Sequence, residues 1–339
     1  MPKVSIIVPI YNVSKYLDKC LNSLTHQTLD DIEIICINDG STDNSTEILN
    51  YYANKDHRIK ILNQNNQGQG VARNNGIKLA TGEYLGFVDP DDWIEPNMYE
   101  IMYLLAIKNE CDTVYCNYDR LYEKSNRLEI ADKFDEYNIN IKPDAIFNWI
   151  DLKEHVLQNI PYICVNKIIK RKLIINNNIQ FSEKRILGED RLFSISTLLQ
   201  SSRCIYTNLV MYHYIIHPNS SISILPSDPI FLINEVDDLL KQLSLEKTLS
   251  KEFTNFKKEI FIESYNREKN DEKKEYFKSL ARIILDKKSY KQIRKKMGYK
   301  PFIQYILSLN NKYDYNNHKK IKILNILGLQ ITVKEEKIK

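Results

Sequence analysis

Hydrophobic residues over the first 120 positions alternate between short continuous runs and helically spaced stripes. Val4–Val8 and Ile32–Ile37 are apolar runs of strand length, and the runs at 59–62 and 83–88 predict two more strands. Between them, apolar residues at helical spacing predict helices over 13–27, 44–53 and 68–79, the first with Tyr16 and Leu17 on its buried stripe. Short strands that alternate with helices predict an α/β fold with a doubly wound, mostly parallel sheet.

The alternation weakens beyond residue 120. A loop or hairpin is predicted for 121–140, helices for 143–158 and 189–199, and strands for 204–207 and 210–216. Residues 229–309 have the pattern of successive amphipathic helices, and residues 319–333 alternate basic with aliphatic side chains. These patterns predict an α/β domain over residues 1–225, followed by a basic helical C-terminal region over 226–339.

Charge is divided unevenly along the chain, although the whole has a formal net charge of only +4. Residues 241–339 hold 25 Lys and Arg against 12 Asp and Glu, a net of +13, whereas residues 1–240 hold 23 against 32, a net of −9. Lysines of this tail are interleaved with Glu at helical spacing, which favours solvated helix faces over nucleic-acid binding. Leu and Ile between the lysines of 319–333 motivate a second hypothesis, attachment to an anionic membrane surface.

The apolar segments and the cysteines indicate a compartment. The longest apolar run, Val4–Ile10, is far shorter than the ~20 residues of a membrane span, and no secretory signal is visible. The six cysteines form no C-x-x-C pair and lie mostly in apolar segments, which predicts buried free thiols in a reducing compartment. A cytoplasmic location is therefore expected, with attachment to the inner membrane face as the further hypothesis.

Polar residues directly follow three of the predicted strands: Tyr11 after the first, Asp39 after the second and the Asp89–Asp92 cluster after the fourth. Ligands of such sheets bind beyond the carboxyl ends of the strands, so these side chains should line one edge. Three carboxylates within four residues repel one another unless a cation or water compensates them. A divalent ion shared with substrate phosphates is one interpretation, and an acidic turn before a helix is the other.

The remaining candidates also have both a structural and a chemical interpretation. Asp39 can belong to a turn that caps the next helix, or its carboxylate can accept the N–H of a uracil ring. Glu189 and Asp190 can stabilise a helix N-terminus, or one can act as a general base toward a hydroxyl group. His213 and His217 are either structural residues or ligands. The segment Gly68-Gln-Gly-Val-Ala-Arg73 departs from G-x-G-x-x-G and follows the third strand, so dinucleotide binding is not indicated.

Taken together, these segments resemble glycosyltransferase family 2, whose members have the GT-A fold. The matching stretches are Val4-Ser-Ile-Ile-Val-Pro-Ile-Tyr-Asn12, Ile37-Asn-Asp-Gly-Ser-Thr-Asp43, Gly68-x-Gly-Val-Ala-Arg-Asn-Asn-Gly76 and Ala80-Thr-Gly-Glu-Tyr-Leu-Gly-Phe-Val-Asp-Pro-Asp-Asp92. The resemblance is dense over residues 3–100 and thinner to about 223, and the tail beyond about 230 carries no fixed motif.

The resemblance implies an inverting transfer of one sugar from a nucleotide diphosphate, UDP by preference, to an acceptor hydroxyl, assisted by Mn²⁺ or Mg²⁺. It assigns nucleotide binding to Pro9, Tyr11, Asp39, Arg73 and Asp89. It assigns the metal to Asp91 and to His217, preferred over His213, and the base to Asp190 with Glu189 as its acidic neighbour. The expected acceptor is a glycan or a lipid-linked glycan of the kind used in capsule, O-antigen or lipooligosaccharide synthesis.

Two other functions stay open at the level of sequence. Nucleotidyl transfer to a sugar phosphate would require a Gly-rich loop with Arg or Lys after the first strand, where this chain has Ile10-Tyr-Asn-Val-Ser14. A non-catalytic binder of nucleotide sugars could use the same scaffold, and substitution of Asp190 would then leave its behaviour unchanged.

Overall fold

The computed structural model describes residues 1–131, 139, 141–152, 155–158, 162–183, 188–217, 228–294, 296–297, 312–314, 319–326 and 329–337. The chain divides into two compact units, Met1–Ile260 and Phe261–Lys339. The helix that follows residue 228 belongs to the first unit because Ser182 Oγ donates to Glu235 Oε1 at 3.0 Å.

The N-terminal half of the first unit is a regular α/β arrangement. Strands β1 (Val4–Ile10), β2 (Ile32–Asn38), β3 (Ile59–Asn63) and β4 (Tyr84–Phe87) alternate with helices α1 (Ser14–Thr25), α2 (Ser45–Lys55) and α3 (Gln69–Leu79). These strands pair in parallel, as the sequence predicts, and their order is β3-β2-β1-β4. Helix α3 lies close to β1 because Gly76 has no side chain: a Cβ there would stand 2.4 Å from Ile7 Cγ2.

Further elements complete the ten-stranded sheet of this unit. They are β5 (Trp93–Ile94), β6 (Thr113–Tyr122), β7 (Arg127–Ala131), β8 (Ile146–Phe147), β9 (Lys167–Lys170) and β10 (Cys204–Ile216), with helices α4 (Met98–Lys108), α5 (Arg171–Asn176), α6 (Glu189–Gln200) and α7 (Pro229–Gln242). The strand order continues β4-β9-β6-β10-β5, with β7 on β6 and β8 on β10. Strand β9 runs antiparallel to both of its neighbours, whereas β6 and β10 are parallel.

Two predictions for the middle of the chain are wrong or incomplete. Residues 143–152 and 155–158 do not form the predicted helix. The Asn148 side chain accepts the N–H of Ile150, and the Asp151 side chain accepts the N–H of Asn148, both at 2.8 Å, and these bonds replace helical ones. The two strands predicted within 204–216 are one strand, β10, whose register against β6 shifts between Tyr206 and Tyr212. Pairing of β6 with β7 confirms a hairpin at the start of 121–140.

The C-terminal residues combine helices with strands. Helix α8 (Ser250–Arg267) contains the division between the units, and α9 (Asp271–Ile284) and α10 (Lys287–Ile293) follow it. Strands β11 (Lys312–Asp314), β12 (Lys319–Ile326) and β13 (Leu329–Lys337) form an antiparallel sheet, which the prediction of a basic helical region over 226–339 did not include. The alternation of basic and aliphatic residues there has the period of two that a strand requires. The helix predicted up to residue 309 falls partly on 298–309, outside the described residues.

All six cysteines are free and buried, as predicted. Across the part of the chain that is described, no helix combines the length and the apolar character needed to cross a bilayer.

Candidate functional site

A cavity of about 680 Å³ opens at the carboxyl ends of β1, β2 and β4. The loop after β1 lines it from Pro9 to Tyr16, the loop after β2 adds Asp39 and Asp43, and the turn after β4 adds Asp89, Pro90 and Asp91. The start of α3 and the end of β10 close the remaining sides. The sheet edge predicted from the sequence is therefore the place where these side chains meet.

Asp39 anchors the loop that leads into α3. Its Oδ1 accepts hydrogen bonds from Gln64 Nε2 and from the Gln67 N–H, both at 2.8 Å, and its Oδ2 accepts one from the Gly68 N–H at 2.8 Å. An ionised carboxylate has about four acceptor positions, so acceptor capacity remains on Asp39 for a ligand. Asp39 thus shapes one wall of the cavity while it faces the cavity itself.

Tyr11 is the exposed aromatic side chain of this wall, with 49% of its surface accessible. It lies directly after β1 and lines the cavity together with Asp39. A large exposed ring at a cavity rim offers an apolar face to a planar ligand group. The structure therefore places the two predicted base-contacting residues, with Pro9, on one side of the cavity.

The loop after β1 is locked by side chains of the loop after β2. The N–H groups of Asn12, Val13 and Ser14 donate to Ser41 Oγ at 3.2 Å, Ser45 Oγ at 3.0 Å and Asp43 Oδ2 at 2.9 Å. Backbone donors that would otherwise cradle phosphate groups are therefore engaged within the protein. Free N–H groups at this loop would be expected of a nucleotidyltransferase, and the loop does not offer them.

Asp91 and His217 face each other across the cavity wall. The Nε2 of His217 lies 3.0 Å from Oδ2 of Asp91, and the His217 ring stacks on Tyr16 with ring centroids 4.6 Å apart. Burial, and then the charge of Asp89, raise the pKa of Asp91, while His217 partly offsets the increase. The structure brings together the two residues that the sequence assigned to a metal.

The donor set of this pair suits a divalent ion that is shared with a substrate. Asp91 and His217 are hydrogen-bonded to each other at 3.0 Å, so a carboxylate oxygen and an imidazole nitrogen lie side by side at the cavity. No group of three or more His, Cys, Asp or Glu among the described residues could enclose an ion by itself. The residues would therefore fit a divalent ion held by one carboxylate, one imidazole and substrate phosphates, and the imidazole favours Mn²⁺ over Mg²⁺, which takes oxygen ligands.

Asp92, the third acid of the cluster, is a structural residue. Only 1% of it is exposed, and it accepts hydrogen bonds from the Tyr212 hydroxyl at 2.5 Å and from the Ile215 N–H at 2.8 Å. The Tyr212 hydroxyl in turn accepts the N–H of Asp89 at 3.1 Å. These bonds fix the acidic turn to β10, the strand that ends beside His217.

Arg73 joins the acidic turn to helix α6. Its side chain is 3% exposed, and its Nη2 lies 2.7 Å from Asp89 Oδ1 while its Nη1 lies 3.5 Å from Glu189 Oε1. Gln69 also donates to Asp89 Oδ1, at 3.1 Å. A buried guanidinium between carboxylates compensates charges that would otherwise repel one another. Arg73, which the resemblance assigned to nucleotide binding, therefore orients the acidic turn, and its contact with Glu189 was not predicted from the sequence.

Glu189 and Asp190 begin α6 beside this ion pair, although neither lines the cavity itself. Burial, together with the charge of Asp190, raises the pKa of Glu189 to about 7, against the opposing effect of Arg73. Burial also raises the pKa of Asp190, which Arg73 counteracts. Carboxyl groups whose pKa values are raised by burial are suited to exchange a proton with a hydroxyl group.

His213 lies in a different environment from His217. Its Nδ1 is 3.0 Å from both Asp119 oxygens, its Nε2 is 2.9 Å from Glu95 Oε1, and its ring stacks on Trp93. His213 does not line the cavity. The sequence preference for His217 agrees with this placement. The 218–223 segment on which that preference partly rested lies outside the described residues.

Sequence reasoning missed several residues of the cavity. Tyr16 was assigned to the buried stripe of α1, but it lines the cavity and donates to both Glu123 oxygens at 3.2 Å. Lys15 forms an ion pair with the same Glu123, and Tyr214 completes this side. The polar hydroxyl of Tyr16, at the start of an otherwise apolar stripe, was the available signal for this residue. Nothing in the sequence pattern indicates Glu123.

Comparison of the chain with known proteins points to one family. The family model described as Glycosyl transferase family 2 matches residues 5–174. The uncharacterized glycosyltransferase EpsJ of Bacillus subtilis (strain 168) is 37% identical over 223 residues, which cover 65% of this chain and 63% of EpsJ. The cholesterol galactosyltransferase of Borreliella burgdorferi is 30% identical over 312 residues, covering 87% of this chain and 81% of that protein.

A solved structure supports the fold. S. aureus TarS 1–349 in complex with UDP-GlcNAc matches with a TM-score of 0.62 and 18% identity, over 97% of this chain and 96% of TarS 1–349. At this identity the likeness concerns the fold, and it confirms the GT-A expectation with C-terminal helices. The chain spans less than two thirds of the length of the first relatives that it matches in sequence, 62% and 63% for EpsH and EpsJ of Bacillus subtilis.

Proposed function

The chain belongs to glycosyl transferase family 2, and from this premise we propose that it transfers one sugar from a UDP-linked donor to an acceptor hydroxyl, with inversion at the anomeric carbon. The observation that carries the proposal is the meeting, at one cavity, of an exposed Tyr11, an available Asp39 and the Asp91–His217 pair. The complex of TarS with UDP-GlcNAc, on the same fold, supports a UDP-linked donor.

The proposed roles follow from the position of each side chain. Tyr11 stacks on the base, Asp39 accepts its N–H, and Pro9 shapes the pocket beneath them. Asp89, held by Arg73 and Gln69, lies near the ribose. A divalent ion, when bound by Asp91 and His217, supplies positive charge that stabilises the leaving diphosphate.

The acidic pair at the start of α6 carries the proton transfer. As the acceptor oxygen attacks the anomeric carbon and the bond to the diphosphate breaks, Asp190 accepts the hydroxyl proton. Glu189, bonded to Arg73, fixes the orientation of this helix end and shares the negative charge of the pair. A single displacement of this kind inverts the anomeric centre, so an α-linked donor gives a β-linked product.

Nucleotidyl transfer is the competing reaction, and the loop after β1 argues against it. Such an enzyme would present free backbone N–H groups to a triphosphate at this loop, whereas those of Asn12, Val13 and Ser14 bond to Ser41, Ser45 and Asp43. An experiment distinguishes a non-catalytic binder from an enzyme. Asp190→Asn should abolish turnover and leave donor affinity intact in an enzyme, and should change neither in a binder.

The decisive test is a panel of UDP-, GDP- and TDP-linked sugars with the purified chain. We expect Mn²⁺-dependent release of UDP from one UDP-sugar, and protection of the protein from thermal unfolding by that donor alone. Asp91→Ala should lose both responses, and Asp190→Asn should lose only the release. Protection and turnover by a GDP-linked sugar instead would overturn the assignment of the donor, and turnover by none would overturn the function.

The acceptor and the location belong to the same proposal. The relative named cholesterol galactosyltransferase supports an acceptor that resides in a membrane, such as a lipid-linked glycan. The net charge of +13 over residues 241–339 supports attachment to an anionic surface on the cytoplasmic side, since each Lys or Arg near such lipid contributes about 1 kcal/mol. Sedimentation with phosphatidylserine vesicles, but not with phosphatidylcholine vesicles, and its loss in high salt are expected. Equal binding to both would remove this part of the proposal.

A further inference from the structure

The ring of Tyr16 covers one face of the His217 imidazole. The two ring centroids lie 4.6 Å apart with 25° between the ring planes, while Nε2 of the imidazole lies 3.0 Å from Oδ2 of Asp91. His217 directly follows β10 and is 8% exposed, and Tyr16 belongs to the first turn of α1. The stack on its face and the carboxylate at its edge therefore both restrict how the imidazole can turn.

The orientation of this imidazole matters because the torsion about its Cβ–Cγ bond has only a broad preference of its own. A ring nitrogen binds an ion along one direction in the ring plane, so a rotated ring would no longer present Nε2 to an ion held by Asp91. Histidines that bind metals accordingly depend on neighbouring side chains that fix the ring, and loss of such a neighbour typically lowers metal affinity by roughly 10- to 100-fold.

The hydroxyl group of Tyr16 is itself anchored. It donates to both carboxylate oxygens of Glu123 at 3.2 Å, and it accepts a hydrogen bond from Lys15 Nζ at 3.1 Å. Lys15 also forms an ion pair with Glu123. The ring of Tyr16 thus has its face against His217 and its tip between two charged groups, and these bonds would break if the ring turned away.

Glu123 is tied to the strand that leads to His217. It directly follows β6, and its N–H donates to the carbonyl oxygen of Ile216 at 3.1 Å, one residue before His217. Strands β6 and β10 pair in parallel up to this point. The start of α1 and the end of β10 are therefore connected twice, through the ring stack and through Glu123.

A role of this cluster in folding alone is a weaker explanation. The side chains of Lys15 and Glu123 are 67% and 33% exposed, and exposed ion pairs contribute little to stability. Lys15, Tyr16, Glu123 and His217 all line the cavity. Their contacts therefore act where an ion and a donor diphosphate would bind.

We propose that Tyr16, anchored by Glu123, is a positioning residue of the site: its ring holds the His217 imidazole so that Nε2 faces a divalent ion shared with Asp91. This inference rests on the proposed function, in which Asp91 and His217 bind that ion. Tyr16 acts through His217 in this role, and no covalent bond of Tyr16 changes during the transfer.

The test measures Mn²⁺ binding to the full chain in the presence of saturating UDP. Pulsed electron paramagnetic resonance detects the nitrogen coupling of an imidazole bound to Mn²⁺, which should be present in the wild type and absent in His217→Ala. Tyr16→Leu should raise the dissociation constant for Mn²⁺ by roughly tenfold or more and weaken the nitrogen coupling. Tyr16→Phe, which keeps the stacked ring, should restore the coupling and most of the affinity.

A double-mutant cycle tests the anchor. Tyr16→Phe and Glu123→Ala remove the same hydrogen bond from its two ends, so each should raise the dissociation constant for Mn²⁺ by about threefold. The double variant should then show about the same threefold increase, whereas two independent effects would multiply to about ninefold. Multiplication would mean that Glu123 acts through its charge alone, and it would overturn the anchoring role.

Tyr52→Leu is the matched control. The Tyr52 hydroxyl also bonds to a carboxylate of α1, that of Asp18 at 2.9 Å, but Tyr52 does not line the cavity. This variant should keep the Mn²⁺ affinity and the nitrogen coupling of the wild type. Glu123→Ala should in addition leave the melting temperature of the free protein nearly unchanged, which separates positioning from a loss of stability.

Three results would overturn the inference. The first is a Tyr16→Leu protein with the Mn²⁺ affinity and nitrogen coupling of the wild type. If Tyr16→Leu does not fold, the second is an unchanged affinity in Glu123→Ala. The third is a wild type that releases UDP but shows no nitrogen coupling, because His217 would then not be a ligand while the proposed function would stand. A wild type that releases no UDP from any donor would instead overturn the proposed function.

Discussion

The Nε2 atom of His217 lies 3.0 Å from the Oδ2 atom of Asp91, although 126 positions separate the two residues in the chain. The contact exists because β10, which ends at Ile216, is tied to the acidic turn through Tyr212 and Asp92 at 2.5 Å. The hydrogen bonds of Asp92 to β10 therefore align Asp91 and His217, the two side chains that would bind an ion together with donor phosphates.

The first prediction concerns this pair. Replacing His217 with Ala removes one of two protein donors, so the Mn²⁺ concentration for half-maximal activity should rise by roughly 10- to 100-fold. Titration of UDP release with Mn²⁺ measures the effect, and chelation by EDTA should abolish release in the wild type. His57→Ala, at an exposed position, is the matched control. An unchanged Mn²⁺ requirement in His217→Ala would show that this imidazole is not a ligand.

Glu189 and Asp190 should respond differently to loss of their charge. Asp190→Asn removes the proposed base, so kcat should fall by about 10²- to 10⁴-fold. Glu189→Gln removes a negative neighbour whose charge disfavours ionisation of the pair, and the acid limb of kcat/KM should therefore move to lower pH. In the wild type this limb should lie near pH 7, since the pKa of Glu189 is raised to about 7. If Glu189→Gln is the more damaging change, the two roles are exchanged.

Tyr11 should contribute to donor affinity through its ring alone. Stacking of an aromatic side chain on a base contributes about 1–3 kcal/mol, so Tyr11→Ala should weaken UDP binding by roughly tenfold or more, and Tyr11→Phe should bind almost as the wild type does. Calorimetric titration with UDP measures both. Tyr51, which is similarly exposed at 53% but does not line the cavity, provides the control substitution Tyr51→Ala. Equal affinity of Tyr11→Ala and the wild type would exclude stacking.

Glu33 should contribute to stability in a pH-dependent way at the opposite end of the sheet. It is 2% exposed and accepts hydrogen bonds from Ser5 and Lys60 at 2.6 Å and from the Thr81 N–H at 2.7 Å. Burial alone would raise the pKa of Glu33, but these donors lower it to about 2. Since the pKa in the unfolded chain is about 4.3, the stabilisation is complete above that pH and is lost as the pH falls toward 2.

Glu33→Gln should therefore lower the free energy of unfolding at pH 7 by about 1–3 kcal/mol, because buried donors lose their charged acceptor. Urea unfolding at pH 7 and again near pH 3 measures the difference between the variant and the wild type, which should shrink at the lower pH. The exposed Glu47→Gln should change stability by less than about 0.5 kcal/mol. If the difference in the free energy of unfolding between the variant and the wild type is the same at pH 7 and near pH 3, Glu33 stabilises the protein through packing and not through its charge.

The sequence by itself determined the N-terminal α/β half and the sheet edge at which the candidate site lies. Continuous apolar runs such as Val4–Ile10 make β1 a buried strand, and the carboxyl ends of parallel strands share one edge, so Tyr11 and Asp39 had to meet there. These are local patterns, in which the hydrophobic period and the strand direction largely determine where each strand and the residues after it lie. They also include the position of the acidic turn after β4.

Only the tertiary structure decided which distant residues complete the site. Asn74 exchanges two hydrogen bonds of 2.9 Å with the backbone of Phe181, 107 residues away, and this contact brings the segment before α6 to α3. Arg73 can then reach Glu189. Likewise, no periodicity distinguishes Tyr16 at the cavity from its buried neighbours on α1. Such contacts depend on packing between elements far apart in the chain, and the hydrophobic pattern of each element fixes its buried face but not its partner.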